Sequence, residues 1–329
     1  MLTEVIGEKL REARKARRRH GGPARSLPEF GSHMGISYRA PVETVAVLLA
    51  AGKGTRMRSD LAKVLHPFAG EALIMHPLRA AARFGVTRSI LVVGHQAEAV
   101  REAVASQLAR WGQGEAQGQA PEVEYALQAE QLGTGHAVAC ALPVIDEGFA
   151  GAVLILSGDV PLLSAATLET LARACEASSA GLSLASFRPE DPSGYGRILR
   201  DESGRVAGIR EHKDASLAER AITECNAGVY CVLAEHLRRE LPTLGSSNAA
   251  GEIYLTDLIA LRARAGEVAV VEVDADEVAG VNTPEQLAEL ERRAVESGRL
   301  GASRSAPGVS GVSGVAGGVA ATQARKGLE

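Results

Sequence analysis

The stretch that most constrains the fold runs from Val45 to Lys63 and reads VAVLLAAGKGTRMRSDLAK. An unbroken apolar run, Val45 to Ala51, leads straight into Gly52-Lys53-Gly54-Thr55-Arg56. A short all-apolar run bounded by glycine predicts a strand buried on both faces. Such a strand needs a sheet with helices packed on each side. The glycines let the backbone turn tightly and come close to a ligand. Their amides can point at an anion, and Lys53, Arg56 and Lys63 add positive charge nearby. Arg58 and Asp60 extend the polar stretch. A strand followed by a basic, glycine-rich loop is how open α/β sheets hold nucleotide phosphates at strand C-terminal ends. Two familiar phosphate loops are excluded. The segment has no G-x-x-x-x-G-K-[ST], and Gly52 and Gly54 are followed by Met57 where G-x-G-x-x-G needs a third glycine.

The same rhythm continues downstream. Glu71 to Phe84 has an amphipathic helix pattern, Ser89 to Val93 reads as a second buried strand, and a helix follows near Ala97 to Leu108. Gly112 to Gln119 is a polar loop, Val123 to Ala126 a third strand and Val153 to Leu156 a fourth. Strands alternating with helices predict a doubly wound, mostly parallel α/β sheet. From Gly181 the pattern changes. Leu182 to Phe187, Gly196 to Leu199, Val206 to Glu211 and Gly228 to Val232 read as strands of an antiparallel region. Helices resume at Ala234 to Glu240 and Leu255 to Arg264, a late strand covers Val268 to Val273, and the last helix, Glu285 to Val295, opens with Thr283 as N-cap and Pro284 at its first position.

Three further strings carry polar groups at element ends. Leu127 to His136 reads LQAEQLGTGH, where Gln and Gly-Thr-Gly supply amide and hydroxyl donors. On its own, Gly-Thr-Gly before an Ala-rich segment is an ordinary helix start. Leu154 to Leu162 reads LILSGDVPL and leaves Asp159 at the end of a buried strand, where it is either a polar cap or a Mg²⁺ ligand, since Mg²⁺ takes a few carboxylates plus phosphate oxygens and water. Ala279-Gly-Val-Asn282 precedes Thr-Pro, where Asn282 could simply end a turn.

Taken together these strings resemble sugar-phosphate nucleotidyltransferases, whose signature is L-x-x-G-x-G-T-R followed by P-K. In particular they resemble the uridylyltransferase domain of N-acetylglucosamine-1-phosphate uridylyltransferases. The match extends to Gly194-Tyr-Gly-Arg197, Glu211-His-Lys-Asp-Ala215, Cys225-Asn-Ala-Gly228 and Gly251-Glu-Ile-Tyr-Leu-Thr-Asp257, the last read as a helix start near Thr256. The resemblance implies a Rossmann-like nucleotidyltransferase fold with an antiparallel sugar-binding subregion. It implies UTP and a sugar 1-phosphate as partners, Mg²⁺ as cofactor, and UDP-N-acetylglucosamine and pyrophosphate as products. Leu49, Ala50, Ala51, Gly52, Lys63, Gln128, Gly133, Thr134, Ser157, Gly158 and Asp159 then hold the nucleotide, with Gln128 and Gly133 on the uracil edge. Gly196, Glu211, Asn226 and Asn282 hold the sugar, Asp159 and Asn282 the metal, and Arg56 and Lys63 supply catalytic charge. Three positions depart from the family pattern: Ala62 replaces Pro and is expected to loosen the loop, Ser157 replaces Tyr, and Ala227 replaces Thr. A different sugar 1-phosphate, or a non-catalytic nucleotide-sugar binding or regulatory module, stays open as an alternative.

Composition sets the outer bounds. With 329 residues, 46% hydrophobic and only 3% aromatic, the core must be built from Leu, Val, Ile and Ala. A net charge of −4 gives no global pull toward nucleic acid or a membrane surface, and the apolar runs are too short to cross a bilayer. Cys140, Cys175, Cys225 and Cys231 form no C-x-x-C pair and fit a reducing, cytoplasmic setting. Residues 1–42 carry a basic arm with a helix pattern at Leu2 to Arg19 and read as a solvated, disordered segment. The catalytic domain is expected over 43–297. From Gly298 the composition collapses to Gly, Ser, Val and Ala, which predicts a flexible tail without the hexapeptide coils of a β-helix acetyltransferase.

Overall fold

The structure, a computed structural model, describes residues 43–111 and 119–300. The N-terminal arm and its helix pattern, most of the Gly112 to Gln119 loop and the tail beyond Leu300 lie outside the described residues. In chain order the strands are β1 (Thr44–Ala50), β2 (Pro67–Phe68), β3 (Glu71–Ala72), β4 (Arg88–Val93), β5 (Glu122–Leu127), β6 (Ala152–Ser157), β7 (Leu182–Phe187), β8 (Arg197–Arg200), β9 (Val206–Arg210), β10 (Cys225–Leu233) and β11 (Ala269–Glu272). The α-helices are α1 (Met75–Phe84), α2 (Ala97–Leu108), α3 (Thr134–Ala141), α4 (Ala165–Ala177), α5 (Leu217–Arg220), α6 (Ala234–Glu240), α7 (Asp257–Ala265) and α8 (Pro284–Glu296).

The main sheet has the order β11-β7-β10-β6-β1-β4-β5. β1 pairs in parallel with both β4 and β6, and β4 with β5. The predicted two-sided burial of β1 is borne out by which residues pack together. Ala46, Leu48 and Ala50 join Leu78 of α1, Val100 of α2 and Leu168 of α4 on one face of the sheet. Val45 and Val47 join Val138 of α3, Leu237 of α6 and Leu258 of α7 on the other. Alternation along one strand therefore feeds two separate cores, and both must be apolar.

The antiparallel region is arranged differently from the expectation. Leu182 to Phe187 is not set apart: β7 lies within the main sheet, and β10 runs antiparallel between it and β6. Only β8 and β9 form a hairpin branching from this sheet, through a single pairing of Arg197 with Cys225. The pairing of β10 with β7 shifts between Asn226 and Tyr230. This irregularity takes Ala227 to Val229 out of the regular ladder, next to Ser157 at the cleft wall. The first helix also starts later than its pattern indicated. Ala69 and Gly70 both take positive φ, 49° and 83°, and turn the chain into the small β2–β3 hairpin, so Glu71 and Ala72 are extended. The last helix follows expectation: Thr283 accepts a hydrogen bond from the Gln286 amide at 3.2 Å, and Pro284 sits in the first turn.

Candidate active site

A cleft of about 310 Å³ opens where β1, β5 and β6 end at their C-termini. Leu49, Ala50, Ala51, Gly52, Lys63, Gln128, Gly133, Thr134, Ser157 and Asp159 line it. Ten of the eleven expected nucleotide-binding residues thus meet in one place. Gly158 stands between two of them, its amide donating to the Leu49 carbonyl at 3.0 Å and fastening the end of β6 to that of β1. A larger hollow of about 530 Å³ lies between α1 and the start of α4, and it contains none of the candidate site residues.

The basic loop is held from three sides. Gly54 has φ 60° and comes so close to Lys63 that an added Cβ would lie 2.6 Å from the Lys63 Cβ. Any larger residue there would push Lys63 out of the cleft. Gln96, itself at φ 54°, accepts a hydrogen bond from the Ala62 amide at 2.9 Å and donates to the Asp60 carbonyl at 2.5 Å. Ala62 keeps φ −54° and ψ 137°, a conformation proline would also take. The expected loosening at this position is therefore offset by a bond that proline, lacking an N–H, could not donate. Lys53 and Arg58 stay exposed on the loop.

At the floor of the cleft the charged groups converge. The Lys63 ammonium donates to the Asp159 carboxylate and, at 3.2 Å, to Oδ1 of Asn282. Arg56 donates to the same Asn282 oxygen at 2.8 Å. The Val281 amide donates to the Asp159 carbonyl at 3.0 Å, tying the two segments together. Asn282 is fixed in turn by its own amide donating to Gln286 Oε1 of α8 at 2.9 Å. One carboxylate and one amide oxygen thus point at a common positive centre. Hard oxygen donors of this kind suit Mg²⁺, which completes its shell with phosphate oxygens and water. Among the described residues no group of three or more His, Cys, Asp or Glu forms a metal cage, so a cation here would depend on ligand phosphates.

The second cluster lies on the β8–β9 hairpin and β10. A Cβ added at Gly196 would sit 3.5 Å from both Glu211 carboxylate oxygens, so these two expected sugar residues adjoin. The Asn226 amide donates to the Gly196 carbonyl at 2.9 Å. Asn226 uses its side chain within the protein as well, donating to the Tyr230 hydroxyl at 2.6 Å and accepting from the Gly228 amide at 3.1 Å. A Cβ added at Gly228 would lie 3.7 Å from the Ser157 hydroxyl, which brings this cluster up to the cleft wall. Burial pushes the Glu211 carboxyl above the usual range, opposed by a hydrogen bond from the Thr256 hydroxyl at 2.9 Å. Burial pushes the Tyr195 hydroxyl above its usual pKa, with the Asp159 charge adding to the rise and the Arg56 charge opposing it.

The profile of the Nucleotidyl transferase family matches residues 45–296. The chain belongs to the nucleotidyl transferase family. It is 50% identical over 249 residues to the "Bifunctional protein GlmU" of Pelobacter propionicus, covering 75% of this chain and 51% of that protein. It is 47% identical over 272 residues to the protein of the same name from Anaeromyxobacter dehalogenans, covering 83% and 53%. A third, from Cellvibrio japonicus, is 47% identical over 248 residues, covering 75% and 51%. The chain spans about half the length of these relatives. As a nucleotidyl transferase it carries an α/β sheet with the cleft at the strand ends, and none of its described helices is long and apolar enough to cross a membrane.

Four residues of this nucleotidyl transferase cleft were not singled out from the sequence: Val64, Gln131, Ala137 and Glu252. Gln131 donates to the Ala51 carbonyl at 2.9 Å and closes the glycine-rich loop from above. Glu252 arrives on a strap that docks on the Gly133 loop. The Ile253 amide donates to the Leu132 carbonyl at 2.7 Å, Gly135 donates back to Ile253 at 2.8 Å, and Thr134 Oγ1 accepts from Leu255 at 3.1 Å. Gly133, at φ 109°, would place a Cβ 2.5 Å from the Ile253 carbonyl. The segment Gly251 to Asp257 is therefore more than a helix start. Thr256 makes no side-chain cap to α7; it gives its hydroxyl to Glu211 instead.

Proposed function

We propose that this nucleotidyl transferase transfers a uridylyl group from UTP to N-acetylglucosamine 1-phosphate, forming UDP-N-acetylglucosamine and pyrophosphate with Mg²⁺ as cofactor. The observation that carries the reading is the meeting of Lys63, Asp159, Asn282 and Arg56 at the floor of a cleft that Gln128 and Gly133 also line. Base-reading groups and phosphate-neutralising groups thus share one pocket. The Gln128 and Gly133 polar groups face the base edge, and the glycine-rich loop lies along the triphosphate. Glu211, Asn226 and Gly196 take the sugar hydroxyls and the N-acetyl group.

An oxygen of the sugar phosphate attacks the α-phosphorus of UTP in line. The new P–O bond forms as the bond to the β-phosphate bridge breaks, and pyrophosphate leaves with the electron pair. Such chemistry depends on positioning and on charge stabilisation rather than on a covalent enzyme intermediate. Lys63 and Arg56 bring positive charge against the phosphate oxygens. When bound, Mg²⁺ would neutralise and orient phosphate oxygens, held by Asp159 and Asn282. Lys63 bonds both of those oxygens, which keeps its ammonium beside the place where the phosphates would lie.

The reaction is tested by incubating the protein with UTP, N-acetylglucosamine 1-phosphate and Mg²⁺ and following UDP-sugar by mass and pyrophosphate by coupled assay. Stoichiometric formation of both is expected, with none when Mg²⁺ is chelated. Turnover of another nucleotide and sugar-phosphate pair in preference to this one would overturn the reading.

A further inference from the structure

Gln128 is 4% exposed and lines the cleft, yet its side-chain amide is already half used by the protein. Its nitrogen Nε2 donates to the Gly133 carbonyl at 3.0 Å and to Nδ1 of His136 at 3.2 Å. A glutamine amide carries two N–H donors and one acceptor oxygen. Both donors are therefore committed, and among the described residues no protein donor is bonded to Oε1.

Beside the Gly133 carbonyl, the side chain that fixes this arrangement is His136. It lies on α3, and a ring nitrogen accepts a hydrogen bond only when it carries no proton. The imidazole proton is then on Nε2, which faces the sulfur of Cys140 one turn along the helix at 3.7 Å. Turning the Gln128 amide over would set its oxygen against two acceptors, the Gly133 carbonyl and His136 Nδ1. Leaving acceptors face to face and both N–H groups unpaired at a buried site is costly. Gln128 thus keeps Oε1 as its uncommitted group, on a side chain that lines the cleft.

We propose that His136 is a positioning residue that sets base specificity by locking the Gln128 amide with its oxygen toward the nucleotide. This rests on the uridylyl reading above. A pyrimidine edge presents N–H at ring position 3 in uracil and a lone pair there in cytosine. An acceptor fixed at Gln128 Oε1 bonds the first and repels the second. A glutamine free to turn could offer its N–H to cytosine and would discriminate poorly. The two bases are therefore distinguished through a residue that need not touch either.

The test compares equilibrium binding of UTP and CTP, each with Mg²⁺, to the full chain and three variants. In His136→Asn the side-chain oxygen reaches the place of Nδ1, so an acceptor for Gln128 is kept. In His136→Gln the amide extends to the place of Nε2, and in His136→Leu no acceptor remains. The UTP-over-CTP affinity ratio is expected to fall about tenfold or more in His136→Gln and His136→Leu and to stay within about threefold of the parent in His136→Asn. A purely structural role would weaken both nucleotides equally and leave the ratio unchanged, which would overturn the proposal, as would an Asn variant as unselective as the Leu variant. Should the Leu variant fail to fold, the Asn and Gln pair decides alone. A parent that binds CTP as tightly as UTP would overturn the uridylyl reading and this inference together. A selective parent with an equally selective Gln variant would overturn the inference only.

Discussion

Around Gly133 the cleft wall is pinned mostly main chain to main chain, whereas around Glu211 and Asn226 it is held mostly through side chains. The nucleotide wall joins the Leu132 to Gly135 loop to the Ile253 strap by three hydrogen bonds, and no residue with a Cβ fits at Gly133. The groups we assign to the sugar are satisfied internally, Glu211 by Thr256 and Asn226 by Tyr230 and Gly228. Backbone walls cannot adapt without breaking the fold, while side chains can exchange an internal partner for a ligand. On the proposed reading, base recognition would be built into the fold and sugar recognition into a few replaceable groups.

The largest effect is expected where the two halves meet. Asp159→Asn should lower kcat by about a thousandfold or more and weaken Mg²⁺ dependence, with an unchanged melting curve, because it removes the carboxylate that meets Lys63 at the proposed phosphate centre. Near-normal turnover at ordinary Mg²⁺ in steady-state assays would break the assignment of that centre.

A smaller effect should separate the halves. Glu211→Gln is expected to raise KM for the sugar phosphate by about tenfold while leaving KM for UTP unchanged. Stability should move the other way. A buried carboxyl with a raised pKa binds its proton more tightly when folded, so its contribution is present at low pH and lost as pH rises through that pKa. The Gln variant, which never ionises, should therefore melt higher than the parent at pH 8 by roughly a few degrees and gain nothing at pH 4. An unchanged melting difference between those pH values in scanning calorimetry would remove the buried-charge argument.

Smaller still is the effect of the two departures in the sugar half. Ser157→Tyr with Ala227→Thr should sharpen the preference for N-acetylglucosamine 1-phosphate over glucose 1-phosphate by about threefold to tenfold, the equivalent of one recovered hydrogen bond. Competition between the two sugar phosphates, read by product mass, measures this directly. Least of all, Ala62→Pro exchanges the bond to Gln96 for a stiffer chain at an already suitable φ, and stability should change by less than about 1 kcal/mol with activity within about twofold. A large loss in either would show that the Gln96 bond, rather than loop geometry, positions Lys63.

Much of this was legible in the chain. β1 and its loop announce themselves because two-sided burial leaves an unbroken apolar run, and α2, α6 and the cap of α8 follow from local periodicity and Thr-Pro chemistry. The place of β10 between β6 and β7 was not legible, since pairing between strands so far apart in sequence leaves no local trace. The same holds for Gln131 and Glu252. Their presence in the cleft depends on Ile253 docking across the Gly133 loop, a contact between segments some 120 residues apart. The signal that could have revealed it is Gly135: a second glycine placed inside the first turn of α3, where a turn does not need one, marks a close approach by another backbone.

The contrast between a rigid base wall and an adaptable sugar wall is tested most directly by kcat/KM for UTP, CTP, GTP and ATP crossed with N-acetylglucosamine, glucosamine and glucose 1-phosphates. The account predicts that UTP leads the other nucleotides by at least about a hundredfold, as expected where hydrogen-bonding groups are fixed against a base edge. N-acetylglucosamine 1-phosphate should lead the other sugars by only about tenfold. A protein that discriminates sugars more sharply than bases would contradict it.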